Sequence, residues 1–388
     1  MFRFLTAGES HGKGLAVIIE GIPAGVPLDE EYIASDMRRR QSGYGRGSRM
    51  KIESDRAEIL SGVRHGLTIG SPIALLIWNR DWENWKEIMS VTPIEGEVQP
   101  MTRPRPGHAD LAGVIKYGLA DIRPILERSS ARETAARVAA GAVARRFTEQ
   151  FDIMIHSHTL AIGGKWANPK ESIDWQHVEK SPVRCADTKV EVAMIAAIDE
   201  AIAAGDTLGG VFEVIATGVP IGLGSHVHWD RRLDGSIARA MMSIPSVKGV
   251  EIGDGFGLAN VKGSQAHDII EIADDASYPW RRATNRAGGV EGGISNGEPI
   301  VVRAVVKPIP TLGKPLKSVD LATKEVVQAH FERSDICIVP AAGVIGEGML
   351  AIVLANAILE KFAGDNLKET LRNYHSYLNS IFSNGSDA

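Results

Sequence analysis

Apolar and polar positions alternate along the chain in ways that mark both helices and strands. Residues 29–40 open with acidic side chains and close with arginines, the polarity that a helix dipole favours. Residues 191–204 repeat with a helical period and stop at Gly205, a natural C-cap. Residues 349–362 are apolar almost all round, which predicts a helix buried on every side. Residues 131–147 are rich in alanine, with Ala136, Ala140 and Ala144 four apart, a smooth face that another helix can approach closely. Val and Ile dominate residues 14–20, 211–216 and 300–306, which read as strands. A fully apolar helix and a small-faced one predict a helical layer at the centre, covered by sheets. Strands and helices do not alternate strictly, which argues against a doubly wound parallel sheet.

Composition narrows the function classes. The 388 residues include 43 Lys and Arg against 48 Asp and Glu, a formal net charge of −5. That balance argues against wholesale nucleic-acid binding. The length suits two domains or one large α/β domain. The 41 glycines exceed the usual ~7% share, so many tight turns and close backbone approaches are expected. Two cysteines, Cys185 and Cys337, exclude a disulfide framework and a Cys-based zinc cluster, and make a reduced cytoplasmic setting the default. The N-terminus lacks the apolar core of a signal peptide. The longest apolar run, residues 348–359, is too short to span a bilayer and sits between Glu347 and Glu360.

Several polar clusters carry candidate chemistry. Gly8-Glu9-Ser10-His11-Gly12-Lys13 resembles a P-loop but fails its spacing; what remains is a histidine held in a glycine-flanked turn. A histidine has a reference pKa of ~6.5 and can donate a proton at neutral pH, although taken alone the turn fits an ordinary surface histidine better. Arg38 to Arg49 packs five arginines among glycines, a loop suited to a small anion; RNA binding would want interleaved aromatics, and only Tyr44 is present. Pro104 and Pro106 stiffen the loop that presents Arg105 and His108. Ser130 and Glu133 match a capping box at the start of the Ala-rich helix. Capping does not explain Arg128 and Arg132, cations at a positive helix end, unless an anion or a paired carboxylate compensates them. Asp335 stands just before the buried helix, as a candidate base or a turn-forming residue. His156 and His158, like His226 and His228, would share a strand face; with no carboxylate or Cys at ligand spacing, no metal site is expected.

Taken in order, Gly-Glu-Ser-His-Gly at 8–12, Arg-Pro-Gly-His-Ala-Asp at 105–110, Arg-Ser-Ser-Ala-Arg-Glu-Thr-Ala at 128–135, Val-Lys-Gly-Val-Glu-Ile-Gly-Asp-Gly-Phe at 247–256 and Gly-Gly-Ile-Ser-Asn-Gly at 292–297 resemble the chorismate synthase family from residue 1 to about residue 362. The resemblance implies an α+β fold: a single-domain sandwich with central helices between two antiparallel sheets, spanning 1–375, with a flexible tail over 376–388, assembled as a homotetramer. It implies a lyase that eliminates phosphate and a ring proton from 5-enolpyruvylshikimate 3-phosphate to give chorismate, the last step of the shikimate pathway towards aromatic amino acids. The family reaction needs reduced FMN although it is redox-neutral overall. By motif position, His11 matches the acid for the phosphate, His108 the histidine at the flavin's pyrimidine edge, and Asp335 the carboxylate that helps the flavin N5 take up the substrate's ring proton. FMN contacts map to Arg128, Ser129, Ser130, Pro245, Ser246, Gly292, Lys307, Pro308, Ile309, Pro310, Thr311 and Arg333. At 245–246 the family often has Asn or Gln then Ala, so the Pro-Ser pair implies backbone contacts there. Arg40, Arg46, Arg49, Arg105 and Arg132 are the candidates for a substrate with one phosphate and two carboxylates. The supply of reduced flavin is expected from a separate flavin reductase, with NADPH as the alternative direct reductant. An Arg-loop RNA-binding protein or another phosphate-ligand protein is the competing reading.

Overall fold

Apolar side chains at every second position build two antiparallel sheets in the computed structural model, which describes all residues except 48–53, 97, 169–171, 274–277, 333 and 384–388. The first sheet contains β1 (Arg3–Ala7), β2 (Gly14–Glu20), β3 (Glu58–Ser61) and β4 (Ile73–Trp78), in the order β1-β2-β4-β3. Leu15, Val17 and Ile19 of β2, with Ile73, Leu75 and Ile77 of β4, form its buried face. The second contains β5 (Met154–Ile162), β6 (Lys165–Trp166), β7 (Gly210–Thr217), β8 (Val247–Ile252) and β9 (Ile300–Val306), in the order β8-β9-β7-β5-β6. Ile300, Val302, Ala304 and Val306 point inward there. Register places His158, Glu213 and Arg303 side by side across β5, β7 and β9. His158 Nε2 lies 2.9 Å from Glu213 Oε1, and Arg303 Nε donates to Glu213 Oε2 at 2.7 Å. His226 and His228 lie in a loop rather than on a strand, and His228 Nδ1 pairs with Asp230 at 2.6 Å.

The principal helices are α1 (Glu30–Gln41), α2 (Asp110–Tyr117), α3 (Arg123–Ser129), α4 (Thr134–Thr148), α5 (Thr188–Ala204), α6 (Leu233–Met242), α7 (Val339–Phe362) and α8 (Leu367–Ser383). Asp29 caps α1 by accepting from Tyr32 N at 2.8 Å, and Gly205 ends α5 in the left-handed conformation. The buried helix starts ten residues earlier than the apolar run suggested, because Val339, Pro340 and the small residues after them also pack inside. Its 24 residues are long and apolar enough to cross a bilayer by composition, but 89% of its most apolar window is covered by the rest of the protein.

α4 and α7 pack against each other, α4 also touching β1, β2 and β4 and α7 touching β5 and β7. The alanine face of α4 permits this, and at one point glycine meets glycine. A Cβ on Gly141 would lie 2.4 Å from Gly348 Cα. Gly343 and Gly346 let α7 sit directly on Ser157, Phe212 and Val214 of the second sheet. One buried carboxylate interrupts α7. Glu347 is fully buried and accepts from Arg39 Nη1 at 2.6 Å, Ser157 Oγ at 2.6 Å and Arg145 Nη1 at 3.1 Å. Burial pulls its pKa up, but Arg39, Arg184 and Arg145 outweigh that and hold it below the ordinary carboxylate range. Residues 376–383, expected in a flexible tail, instead continue α8. Tyr374 packs edge-on against Phe151 and Phe362, and Tyr377 Oη donates to Ile221 O at 3.0 Å, which ties the helix down.

Two substitutions test this packing. Gly141→Ala gains up to ~1 kcal/mol of helix propensity, yet forces the helices apart, so a net loss of about 1–3 kcal/mol is expected in urea unfolding. Gly348→Ala, whose Cβ would meet Gly141 Cα at 3.3 Å, should lose less. Glu347→Ala removes a buried partner of Arg39, Arg145 and Arg184, which keep Asp36 and the partly covered Glu179 as carboxylate partners, and should cost about 3–5 kcal/mol by the same measurement. Parental stability in Gly141→Ala or Glu347→Ala would contradict the respective contact.

Candidate active site

Turns and helix ends from both sheets converge on one cavity of about 550 Å³, a size typical of small-molecule sites. The turn between β1 and β2 brings His11 to its wall. Gly8 there has φ +108°, and a Cβ would lie 2.3 Å from Gly14 O, so only glycine closes the turn. Asn79, following β4, braces one side. Its Nδ2 donates to Gly12 O at 2.8 Å and Glu9 O at 3.1 Å. Glu127 of α3 braces the other. Its Oε2 accepts from His11 N at 2.7 Å, and its Oε1 lies 2.9 Å from His11 Nδ1. Trp85 stacks on the imidazole with ring centroids 4.0 Å apart. Burial pulls the Glu127 carboxyl up, but hydrogen bonds from His11 and Arg123 outweigh it and hold it below the usual carboxylate range.

A second imidazole is anchored the same way. The proline-stiffened loop before α2 presents Arg105 and His108, and Asp110, fully buried, accepts from Arg105 Nε at 2.9 Å and Arg105 N at 3.0 Å. Its Oδ1 lies 2.5 Å from His108 Nδ1. Burial opposes ionisation of Asp110, but His108 and Arg105 outweigh it and keep its carboxyl well below the ordinary range. The segment after β9 closes against this loop. Arg105 Nη1 donates to Thr311 Oγ1 at 3.0 Å, and Lys307 Nζ donates to Gly107 O.

The arginines at the junction of α1 and α4 meet a carboxylate. Arg40 Nη1 donates to Asp55 Oδ2 at 3.3 Å, and Arg132 Nη1 pairs with Asp55 Oδ1. Arg132 Nε also donates to Asn79 Oδ1 at 2.9 Å. This is the compensation that a cation at the start of the Ala-rich helix requires. Burial pushes Arg40 down to about 10, so it stays charged at neutral pH. The capping box forms only in half. Ser130 Oγ accepts from Arg132 N at 3.3 Å, while Glu133 turns away to Thr6 Oγ1 at 2.9 Å and Arg137 Nε at 2.9 Å. The first turn is consequently a 3-10 turn, Ala131–Glu133, and the α-helix begins at Thr134. Asp335 accepts from Gly47 N at 2.6 Å and pairs with Arg46 Nε at 3.4 Å.

His11, His108 and Asp335 thus line a single cavity, with Arg40, Arg46, Arg105 and Arg132. Ser129, Ser130, Pro245, Ser246, Lys307, Ile309, Pro310 and Thr311 also line it. Ser246 holds the left-handed conformation (φ 70°) and accepts from Lys307 N through its carbonyl at 2.9 Å. Arg128, Gly292 and Pro308 are not in this lining. Arg128 instead donates to Thr6 O at 2.9 Å and Gly8 O at 3.0 Å, bracing the His11 turn from outside. Gly292 lies in the tight turn between strands Val290–Glu291 and Ile294–Ser295. Arg49 and Arg333 fall outside the described residues. Sequence reasoning missed Ser10, Asp81, Trp85, Glu332 and Ser334 in the wall, and Asp55 and Glu127 behind it. The readable signal was the demand for a carboxylate near Arg132; nothing in the sequence said which. Glu332 is held down at about 2: burial raises it, but His330 and Arg123 more than reverse that.

In a protein of net charge −5, this wall carries five Arg and Lys side chains and three carboxylates, besides two imidazoles. Such a surface attracts a polyanion and can pass it a proton.

Comparison with known proteins agrees with these features. The family model for chorismate synthase matches residues 2–359. A chorismate synthase from Moorella thermoacetica is 58% identical over 98% of this chain and 100% of its own length. One from Aquifex aeolicus is 57% identical over 98% of each. A crystal structure of chorismate synthase superimposes with a TM-score of 0.80 at 46% identity, covering 98% of both chains. On this evidence the chain belongs to the chorismate synthase family.

Proposed function

We propose that the protein is a chorismate synthase, a carbon–oxygen lyase that removes phosphate from 5-enolpyruvylshikimate 3-phosphate in a 1,4-elimination requiring reduced FMN. The observation that carries the reading is the single cavity joining His11, His108 and Asp335 with four arginines. Its lining also fits a flavin: apolar Pro245, Ile309 and Pro310 stand beside the hydroxyls of Ser129, Ser130 and Thr311 and the Lys307 ammonium. That donor set suits a flat ring bearing an anionic edge and a phosphate tail. Those residues would hold FMN, with His108 at its pyrimidine edge. When bound, reduced FMN would supply the electron-rich ring that the elimination requires. Arg40, Arg46, Arg105 and Arg132 attract and orient the substrate's phosphate and carboxylates. His11 delivers a proton from its ring to the departing phosphate. Asp335 assists removal of the ring proton, its carboxylate held in place by Gly47 N and Arg46.

The finer fold description, a single-domain sandwich of central helices between two antiparallel sheets, is supported by α4 and α7 packing on each other and on opposite sheets. A homotetramer is supported by apolar side chains left exposed on the outer face of the first sheet, Leu5, Ile18, Leu60 and Trp78. A cytoplasmic setting suits two buried cysteines that form no disulfide. We assign flavin reduction to a separate reductase.

Anaerobic incubation with substrate and dithionite-reduced FMN should release phosphate; no release would end the reading. His11→Ala and His108→Ala should fold normally and each lose about 100-fold or more in turnover. Near-parental activity in both would overturn the site assignment. NADPH with oxidised FMN alone should support no turnover, and sustained turnover under those conditions would place the reductase activity in this chain.

A further inference from the structure

We propose that Glu127 is the positioning residue for His11. It fixes which ring nitrogen carries the permanent hydrogen, so that Nε2 faces the substrate throughout the cycle. The proposal rests on the reading of His11 as the proton donor.

The Glu127 side chain is completely buried and grips His11 twice, through the backbone N–H and through the ring. Both carboxylate oxygens approach Nδ1, at 2.9 and 3.0 Å. An ionised carboxylate only accepts hydrogen bonds, so Nδ1 must carry hydrogen in both charge states of the ring. The neutral ring then has a bare Nε2, and the cationic ring carries its second hydrogen there. Nε2 is the ring nitrogen left to the cavity that His11 lines.

The proton step balances on this arrangement. The Nε2–H bond breaks, an O–H bond forms on phosphate, and the imidazolium charge is discharged against the phosphate anion. No electron changes hands. The ring left behind is already the tautomer that Glu127 stabilises, so the next proton is taken up at the same nitrogen without a ring flip. Stacking opposes such a flip as well. Trp85 lies on the imidazole at an interplanar angle of 29°, and the Arg123 guanidinium lies 5.1 Å from the Trp85 ring centre. Arg123 also donates to Glu127 Oε1 at 3.2 Å and to Glu332 Oε1 at 2.9 Å. One arginine therefore steadies both the carboxylate and the stacking ring.

The test uses the full-length protein. Nitrogen-15 NMR of labelled histidine, with His11 identified by the signal lost in His11→Ala, should show the neutral His11 ring protonated at Nδ1. Hydrogen on Nε2 instead would overturn the proposal, and this needs no Glu127 variant to fold. Glu127→Gln should lower kcat roughly 10-fold or more with KM changed less than about threefold, and should lose the fixed tautomer. Glu127→Asp, which keeps the charge, should recover part of the rate. Adding Glu127→Gln to His11→Ala should cause no more than about a twofold further loss. A further 10-fold loss would mean that Glu127 does not act through His11. Near-parental activity in His11→Ala would remove the acid reading itself. An inactive His11→Ala beside a fully active Glu127→Gln, with its tautomer unchanged, would remove only the Glu127 proposal.

Discussion

An arginine keeps its proton under any physiological condition, so a cavity that gathers arginines must hold them in place against their mutual repulsion. Here the restraint comes from carboxylates set in or behind the wall. Asp55 stands between Arg40 and Arg132, Asp335 holds Arg46, and Asp110 holds Arg105 together with His108. Glu127 does the same for His11 and Arg123. Buried ion pairs of this kind add little net stability, because desolvation offsets most of their attraction. Their benefit is geometric: each charged group reaches the cavity with its orientation already set, and the remaining positive field is directed at the ligand.

The central helices make that geometry available. Glycine contacts let α4 and α7 approach closely enough for each to serve a different sheet. The ends of those sheets then fall near one another. The β1–β2 turn arrives from one side, the segment after β9 from the other, and the α3–α4 junction lies between them. Glu347 adds a polar contact to this otherwise apolar layer. It joins α7 to Arg39 of α1, Arg145 of α4 and Ser157 of β5, so four elements share one buried charge.

Much of the site was legible because glycine, proline, arginine and histidine carry strong local constraints. His11 in its glycine turn and His108 in its proline-stiffened loop could be singled out before any fold was known. The positive charge at the start of the Ala-rich helix likewise demands a group opposing Arg132, and Asp55 supplies it. The capping box expected there is incomplete, since Glu133 reaches Thr6 and Arg137 rather than returning to Ser130. Motif position assigns Arg128 to the flavin, and its guanidinium also reaches the backbone of the His11 turn at Thr6 and Gly8. A local pattern gives the residue type that a contact requires, but several long side chains within reach compete for each partner.

Sequence alone determined the periodic elements, the buried character of the last long helix, the small-residue face of α4 and the clusters of cationic and imidazole side chains. These depend on neighbours within a few positions, where spacing and side-chain type decide the outcome. Tertiary structure alone decided that Asp55 serves both Arg40 and Arg132, that Glu127 and Trp85 hold His11 across 116 and 74 positions, and that residues 376–383 pack as helix. Such pairings follow from how the layers stack in space, and a carboxylate's own surroundings in the chain carry no record of which distant cation it will meet.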